Sequence, residues 1–180
     1  MGDGGAIITS DDAVATRCKQ IANHGMVKQY HHDVVGINSR LDGLQAAILR
    51  VKLKHLRGYL SARQAAAARY DALLEGCAGL RIPIREHRSS HVFHQYTLKI
   101  EGGRRDALRT HLAEHGIPSG VYYPVPGHAQ QAFSQFQYNP DAYPVSVELA
   151  NTVLSLPMHT ELTEEQQQFI SGIIINFIGQ

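Results

Sequence analysis

The chain has 180 residues, with 17 Lys or Arg and 16 Asp or Glu, which give a formal net charge of +1. A hydrophobic fraction of 43% argues against wholesale disorder, and the balanced charge argues against a general nucleic-acid binder. No apolar run approaches the roughly 20 residues that cross a bilayer, and two cysteines suit a reducing cytoplasm, so we expect a cytoplasmic globular protein of about one domain.

The N-terminus has an unusual density of glycine. Gly2-Asp3-Gly4-Gly5 leads directly into a β-type run, which predicts a short strand from Gly5 to Thr9. Glycines this dense normally serve a tight turn between other elements, so we expect the chain to begin in the middle of a fold. Thr9 and Asp12 then form a capping-box pattern that predicts a helix ending near Asn23-His24-Gly25.

A long helix is the next predicted element, after a loop over residues 26–38. Ser39 and Asp42 repeat the capping pattern, and apolar residues follow at helical spacing as far as Gly76. We expect this helix to bend or break near Gly58 and to link two lobes.

The remaining sequence predicts a small α/β layer. Val92 to Ile100 is rich in β-branched and aromatic residues, and Val121 to Tyr123 is a second predicted strand. Helical spacing appears around Leu108 and Leu112 and again from Val145 to Val153, before an extended stretch at 154–158. Thr163 and Gln166 form a capping box that predicts a last helix.

Eleven histidines raise the question of a metal site. Adjacent His31 and His32, and His91 and His94 three residues apart on a predicted strand, would point to opposite sides. No cysteine or carboxylate completes a metal-ligand spacing, so we expect no metal. Neither Cys18 nor Cys77 lies in a catalytic signature, and both are expected to be packing residues.

The segment Gly36-Ile37-Asn38-Ser39-Arg40-Leu41-Asp42 combines an amide, a hydroxyl and a guanidinium just before the long helix. Backbone N–H groups and the helix dipole favour an anion at such a position, and Arg40 could bind a carboxylate or phosphate bidentately. Alternatively, Ser39 and Asp42 cap the helix and Arg40 pairs with a surface acid. The residues alone do not choose between these interpretations.

Two proline-containing segments, residues 122–128 and 156–159, are further candidates for a site. Their prolines would hold aromatic and imidazole groups rigidly at strand ends, as substrate-facing loops require. Each residue taken singly is more often structural.

In this order along the chain, several short segments resemble the DegT/DnrJ/EryC1/StrS family of sugar aminotransferases, which use pyridoxal phosphate. The matching segments run nearly from end to end: Gly2-Asp3-Gly4-Gly5-Ala6-Ile7, His24-Gly25, residues 36–42 with Gln45-Ala46-Ala47, His94-Gln95-Tyr96, Gly116-Ile117-Pro118, Tyr123-Pro124 and Leu156-Pro157. Residues 119–128 and 155–159 look most like the transaminases that aminate a UDP-linked 3-keto uronic acid, as in surface polysaccharide (O-antigen) synthesis.

The resemblance implies an α/β fold, namely the C-terminal part of a fold type I enzyme. Residues 1–40 would be the end of the large cofactor-binding domain, 41–76 a long linking helix, and 77–180 a small α/β domain. It also implies a homodimer with active sites at the subunit interface, a nucleotide-sugar substrate, and an amino-acid donor, with glutamate the usual one.

The resemblance further implies roles for five residues. Asn38 would reach into the neighbouring subunit and bind the cofactor phosphate, and Arg40 would face cofactor or substrate. His159 would lie near the sugar, where it could contact a uronate carboxylate. Tyr123 and His128 would line the nucleotide-sugar pocket.

The family's Schiff-base lysine is the main departure from the pattern. It precedes the Gly-Asp-Gly-Gly turn in the family, and none of the lysines of this chain falls in its motif; they are Lys19, Lys28, Lys52, Lys54 and Lys99. We therefore expect no catalytic lysine here and no activity from the chain alone. It would be a portion of an active enzyme or, alternatively, a non-catalytic truncated product or partner that pairs with a full-length subunit.

Overall fold

The computed structural model describes residues 5–139 and 142–180. The chain divides into two compact units, which meet in sequence between Leu56 and Arg57. Residues 2–4 of the predicted glycine turn lie outside the described residues. None of the described helices is long and apolar enough to cross a membrane.

The first unit contains helices α1 (Asp12–Ala22) and α2 (Gly43–Leu53). Asp11, rather than Thr9, caps α1, because its carboxylate accepts hydrogen bonds from the backbone N–H groups of Ala13 and Val14. The predicted capping box is therefore wrong in register. The predicted strand at residues 5–9 is also wrong: these residues belong to no strand and are exposed.

The segment between the two helices folds back on the end of α1. Ile37 N–H donates to the carbonyl of Ile21 at 2.8 Å, and Ser39 N–H donates to Ala22 at 2.9 Å. A Cβ atom on Gly36 would lie 2.1 Å from the backbone nitrogen of Gly25, so this close approach requires glycine.

Helix α2 begins later than predicted, because the backbone of Ser39 pairs with the end of α1. Asp42 is the N-cap residue, and its side chain makes no capping hydrogen bond. The long helix is interrupted at Lys54-His55, before Gly58. The break therefore falls a few residues ahead of the predicted one, and α3 starts at Leu56.

The second unit packs helices against a three-stranded antiparallel sheet of order β1-β2-β3. Its elements are α3 (Leu56–Leu74), β1 (Leu80–Arg81), β2 (Tyr96–Ile100), α4 (Arg105–Glu114), α5 (Pro144–Thr152), β3 (Val153–Leu156) and α6 (Glu164–Ile178), with 3₁₀ turns at Gly127–Ala129 and Gln131–Phe136. Tyr96 pairs with Leu156, and Lys99 pairs with Val153.

Alternation along β2 places the hydrophobic core on one face of the sheet. Tyr96, Leu98 and Ile100 are fully buried, and Leu74 of α3 and Ile174 of α6 join the same core. At about 25 cal/mol per Å² of buried apolar area, this core is the main stabilising term of the unit. The capping box of α6, formed by Thr163 and Gln166, is confirmed.

Two predicted strands differ from the structure. The strand expected from Val92 starts only at Tyr96, and Phe93 has a positive φ of 49° that interrupts extended pairing. The predicted strand at residues 121–123 does not form. Gly120 makes a single antiparallel bridge with Ser155, after which the chain leaves the sheet.

Candidate functional site

A cleft of about 350 Å³ in the second unit brings together several of the segments singled out in the sequence. Its walls come from α3, from the loop before β2, from the loop after α4, and from β3 with the residues that follow it. The lining residues are Arg63, His94, Gln95, Pro118, Ser119, Gly120, Tyr122, Ser155, Leu156, Pro157 and Met158.

Backbone pairing fixes the two sides of this cleft. Gly120 and Ser155 exchange hydrogen bonds of 3.0 and 2.7 Å between their backbone groups. The hydroxyl of Ser155 lies 2.8 Å from that of Thr97 on β2. Helix α4 ends before Gly116, whose φ of 71° turns the chain towards Pro118. Hydrogen bonds of the sheet therefore fix the positions of these two sides of the cleft.

Arg63 of α3 lines the cleft. Its Nη1 donates to three backbone carbonyls, those of Phe93 and His94 at 3.1 Å each and that of Met158 at 3.2 Å. Sequence reasoning missed this residue, because its partners lie 30 to 95 positions away. The one available signal was a guanidinium within an alanine-rich helix.

Two buried tyrosines support the cleft from the core side. Tyr70 Oη donates to the carbonyl of Pro157 at 3.1 Å, and its ring centroid lies 4.9 Å from that of Tyr96. Burial raises the pKa of both phenols well above the ordinary value, so both remain neutral donors at physiological pH.

Tyr123 and His128 line a neighbouring cavity of about 400 Å³, together with Tyr122 and residues of α5. The Tyr123 side chain is exposed. The imidazole of His128 lies against Tyr143 with 4.6 Å between ring centroids. Its Nε2 is buried and has no hydrogen-bond partner within the described parts of the chain.

His159 lies one residue beyond the lining of the first cleft. Its side chain is 46% exposed, and its Nδ1 lies 3.7 Å from a carboxylate oxygen of Glu161. The structure thus brings Tyr123 and His128 together in one cavity and places His159 apart from them.

Asn38 and Arg40 lie side by side in the first unit. Arg40 Nε donates to Asn38 Oδ1 at 3.0 Å, and its Nη1 donates to Asn23 Oδ1 at 3.4 Å. This geometry matches neither earlier interpretation, since Arg40 contacts two amides and, among the described residues, forms no ion pair with a surface acid. Its guanidinium lines a cavity of about 590 Å³ together with Lys19 and Ser39.

The hydrogen bonds of Arg40 with Asn38 and Asn23 use the amide oxygens and leave the amide nitrogens as donors for an anion. Because Asn38 Oδ1 accepts from Arg40, the amide nitrogen of Asn38 is left as the donor that a ligand could use. Arg40 and Asn38 are both exposed, and Arg40 shares its cavity with a second cation, Lys19. Phosphate oxygens are acceptors that such donors bind well.

The described residues contain no group of three His, Cys, Asp or Glu side chains placed to hold a metal ion. His91 Nδ1 instead accepts from the backbone N–H of Phe93 at 3.0 Å, and His32 Nδ1 lies 2.8 Å from the carbonyl oxygen of His24. These rings have local structural partners.

Comparison with known proteins gives a consistent match. The profile described as the DegT/DnrJ/EryC1/StrS aminotransferase family matches residues 1–174. The chain is 45% identical to a "Pleiotropic regulatory protein" of Geobacillus stearothermophilus, over 98% of this chain and 47% of the relative. It is 44% identical to the UDP-N-acetyl-3-dehydro-alpha-D-glucosamine 3-aminotransferase of Acidithiobacillus ferrooxidans, over 96% of this chain and 46% of that enzyme.

Two further matches extend the comparison. The chain is 40% identical to the UDP-2-acetamido-2-deoxy-3-oxo-D-glucuronate aminotransferase of Pseudomonas aeruginosa, over 97% of this chain and 47% of that enzyme. The crystal structure of S. venezuelae DesV in complex with a ketimine intermediate superposes with a TM-score of 0.90 at 34% identity, over 96% of this chain and 46% of that chain. The chain therefore spans about half the length of the proteins it matches.

Proposed function

Because the chain belongs to the DegT/DnrJ/EryC1/StrS aminotransferase family, we propose that it forms part of a pyridoxal-phosphate-dependent enzyme that aminates a nucleotide-linked keto sugar. The α/β structure corresponds to part of the aminotransferase fold. The observation that carries the proposal is the cleft of the second unit, where His94-Gln95, Pro118 and Leu156-Pro157, three of the family-like segments, meet around one space.

Pyridoxal phosphate would supply the electron sink that amino-group transfer requires. The donor set of Asn38 and Arg40 fits its phosphate, since the Arg40 guanidinium orients the Asn38 amide and adds positive charge. We propose that Asn38 binds the phosphate and that Arg40 holds Asn38 in place while facing cofactor or substrate.

We propose a UDP-linked 3-keto sugar as the substrate, with a 3-keto uronic acid as the preferred form and glutamate as the amino donor. The activities for which the relatives from A. ferrooxidans and P. aeruginosa are named support the UDP and 3-keto parts of this assignment. His128, with its unpartnered Nε2, and Tyr123 would bind the nucleotide sugar. The exposed imidazole of His159 would meet the uronate carboxylate.

The assembly that we propose is a homodimer in the cytoplasm, serving surface polysaccharide synthesis. Its support is the exposure of apolar side chains throughout the first unit: Ile8 is 95% exposed, Val35 97% and Leu44 77%. Apolar surface of this extent is usually covered by another chain or segment. The same exposure favours the alternative, a non-catalytic chain that pairs with a full-length aminotransferase.

A chimera tests the proposed function directly. The 180-residue chain replaces the matching part of the A. ferrooxidans enzyme, to which it is 44% identical. We expect the chimera to aminate UDP-linked 3-keto sugars with glutamate and to prefer the uronate. A chimera that binds pyridoxal phosphate but aminates no nucleotide sugar would contradict the proposal.

Two variants of the chimera separate the proposed roles. N38A should weaken pyridoxal phosphate binding, and H159A should reduce only the preference for the uronate over the neutral sugar. H87A is the matched control, because His87 is an exposed histidine whose ion-pair partner is Glu86, the preceding residue in its own loop. Co-purification of the unfused chain with a full-length relative, without added activity, would favour the non-catalytic alternative.

A further inference from the structure

We propose that the cleft lined by Arg63 is a carboxylate-binding site for a small organic acid. The existence of this site stands on the geometry of the cleft. Only the naming of the acid, as the amino donor or the sugar's own uronate, rests on the proposed function.

The first observation is the unused hydrogen-bonding capacity of Arg63. A guanidinium has five N–H donors, and in Arg63 only Nη1 is engaged, by the carbonyls of Phe93, His94 and Met158. Nε and Nη2 have no protein partner within the described parts of the chain. The three carbonyls fix the plane of the guanidinium, so its remaining donors are pre-organised.

The second observation is the charge of the cleft. Not one of its lining residues is acidic, and Arg63 forms no ion pair among the described residues. Asp71, also on α3, is already engaged by Arg85 and by the hydroxyl of Tyr96. A half-buried cation without a counter-charge is costly, and an anion entering the cleft would compensate it.

The third observation concerns the shape and chemistry of the walls. The volume of about 350 Å³ suits a molecule of the size of a small amino acid or keto acid. Gln95, Ser119 and Tyr122 add polar groups to the lining, whereas Leu156, Pro157 and Met158 add apolar surface for methylene groups. The planar fork of an arginine matches a carboxylate bidentately.

Titration of the 180-residue chain tests the site without any catalysis. Two-dimensional amide NMR spectra are recorded with glutamate, 2-oxoglutarate, glucuronate or inorganic phosphate. We expect saturable shifts at Ser119, Gly120 and Ser155 with the carboxylates. R63Q should weaken this binding by about tenfold or more, as expected for losing a charge-assisted bidentate contact, and R57Q should not change it.

The control residue is matched, because Arg57 lies on the same helix and is exposed. Absence of saturable shifts, equal binding by R63Q, or tighter binding of inorganic phosphate than of any carboxylate would overturn the proposal. Among the carboxylates, preference for glutamate or 2-oxoglutarate assigns the site to the amino donor. Preference for glucuronate assigns it to the sugar.

Loss of the three carbonyl contacts could unfold R63Q, so a second measurement uses the unsubstituted chain. Phenylglyoxal modifies accessible arginines, and peptide mass spectrometry follows each one separately. Saturating carboxylate should slow modification of Arg63 by about fivefold or more and leave Arg57 unchanged, because a bound acid shields the guanidinium. Equal rates at Arg63 with and without ligand would overturn the site.

The result of the carboxylate-binding experiments is independent of the result of the chimera experiment. Carboxylate binding with an inactive chimera would retain this site and remove the proposed aminotransferase function. An active chimera without Arg63-dependent carboxylate binding would retain the proposed aminotransferase function and remove this site.

Discussion

The hydroxyl of Tyr96 on β2 donates a 2.8 Å hydrogen bond to the carboxylate of Asp71 on α3. The bond ties the sheet to the helix that carries Arg63, and the other oxygen of Asp71 accepts from Arg85. The buried phenol of Tyr96 therefore links the sheet to the helix that supplies Arg63 to the cleft.

Tyr96→Phe should lower the free energy of unfolding by about 1–2 kcal/mol, because Asp71 loses a partner in a half-buried setting. Chemical denaturation followed by circular dichroism measures the change. Tyr138→Phe is the control: Tyr138 is largely exposed, and its substitution should stay within about 0.5 kcal/mol. Equal effects of the two substitutions would contradict a role for the Tyr96–Asp71 bond.

Alkaline pH should destabilise the chain through its buried tyrosines. Burial raises the folded-state pKa of Tyr70 and Tyr96 above the ordinary 10.0, so the folded state retains protons that the unfolded state loses. Their contribution is complete below pH 10 and falls as the pH rises beyond it, by up to about 1.4 kcal/mol per pH unit for each tyrosine.

Tyr70→Phe provides the measurement for this pH dependence. The difference in unfolding free energy between the unsubstituted chain and Y70F, measured at pH 8 and pH 11, should narrow at the higher pH, because only the phenol can ionise. A difference that is constant with pH would show that Tyr70 titrates normally.

Thr163→Ala should cost about 1 kcal/mol of stability, because it removes the hydroxyl that accepts from the backbone N–H of Gln166 in the first turn of α6. Thr110→Ala is the matched control, since Thr110 lies within α4 and its hydroxyl donates to the carbonyl of Asp106 in the same helix. Denaturation midpoints of the two variants test the difference. A Thr110 variant as destabilised as the Thr163 variant would argue against capping as the cause.

Gly36→Ala should disrupt the segment that presents Asn38 and Arg40, because the added Cβ would lie 2.1 Å from the backbone nitrogen of Gly25. Hydrogen exchange at the amides of Ile37 and Ser39 should accelerate by about tenfold or more as their bonds to α1 are lost. Gly43→Ala meets no atom within 4 Å and should leave this exchange unchanged. Unaltered protection in G36A would mean that the close approach is not required.

Pyridoxal phosphate added to the chain should give no site-specific, borohydride-trappable lysine adduct. Lys19, Lys28, Lys52 and Lys54 are exposed, and Lys99 is paired with Glu148 at 2.6 Å. Peptide mapping after reduction should find only low, scattered labelling. Stoichiometric labelling of a single lysine, lost on its replacement by arginine, would contradict the prediction.

The sequence alone predicted much of the second unit and the family. The helix capped by Thr163 and the core strand containing Leu98 follow from local capping chemistry and from side-chain alternation, which act over a few residues. The hydrogen bond from Arg40 to Asn38 was not among the interpretations drawn from the sequence, although the two residues are only two positions apart. Errors arose where backbone groups found distant partners, as when Ser39 bonded to Ala22 and did not cap α2.

By itself, then, the sequence determined the family, the class of fold and the order of most helices and strands, because these depend on short-range patterns and on ordered motifs. Only the tertiary structure decided that Arg63 meets the carbonyls of His94 and Met158, which lie 31 and 95 residues away. No local pattern encodes such a contact, since the folding of the whole unit is what brings a guanidinium and three backbone carbonyls within hydrogen-bonding distance.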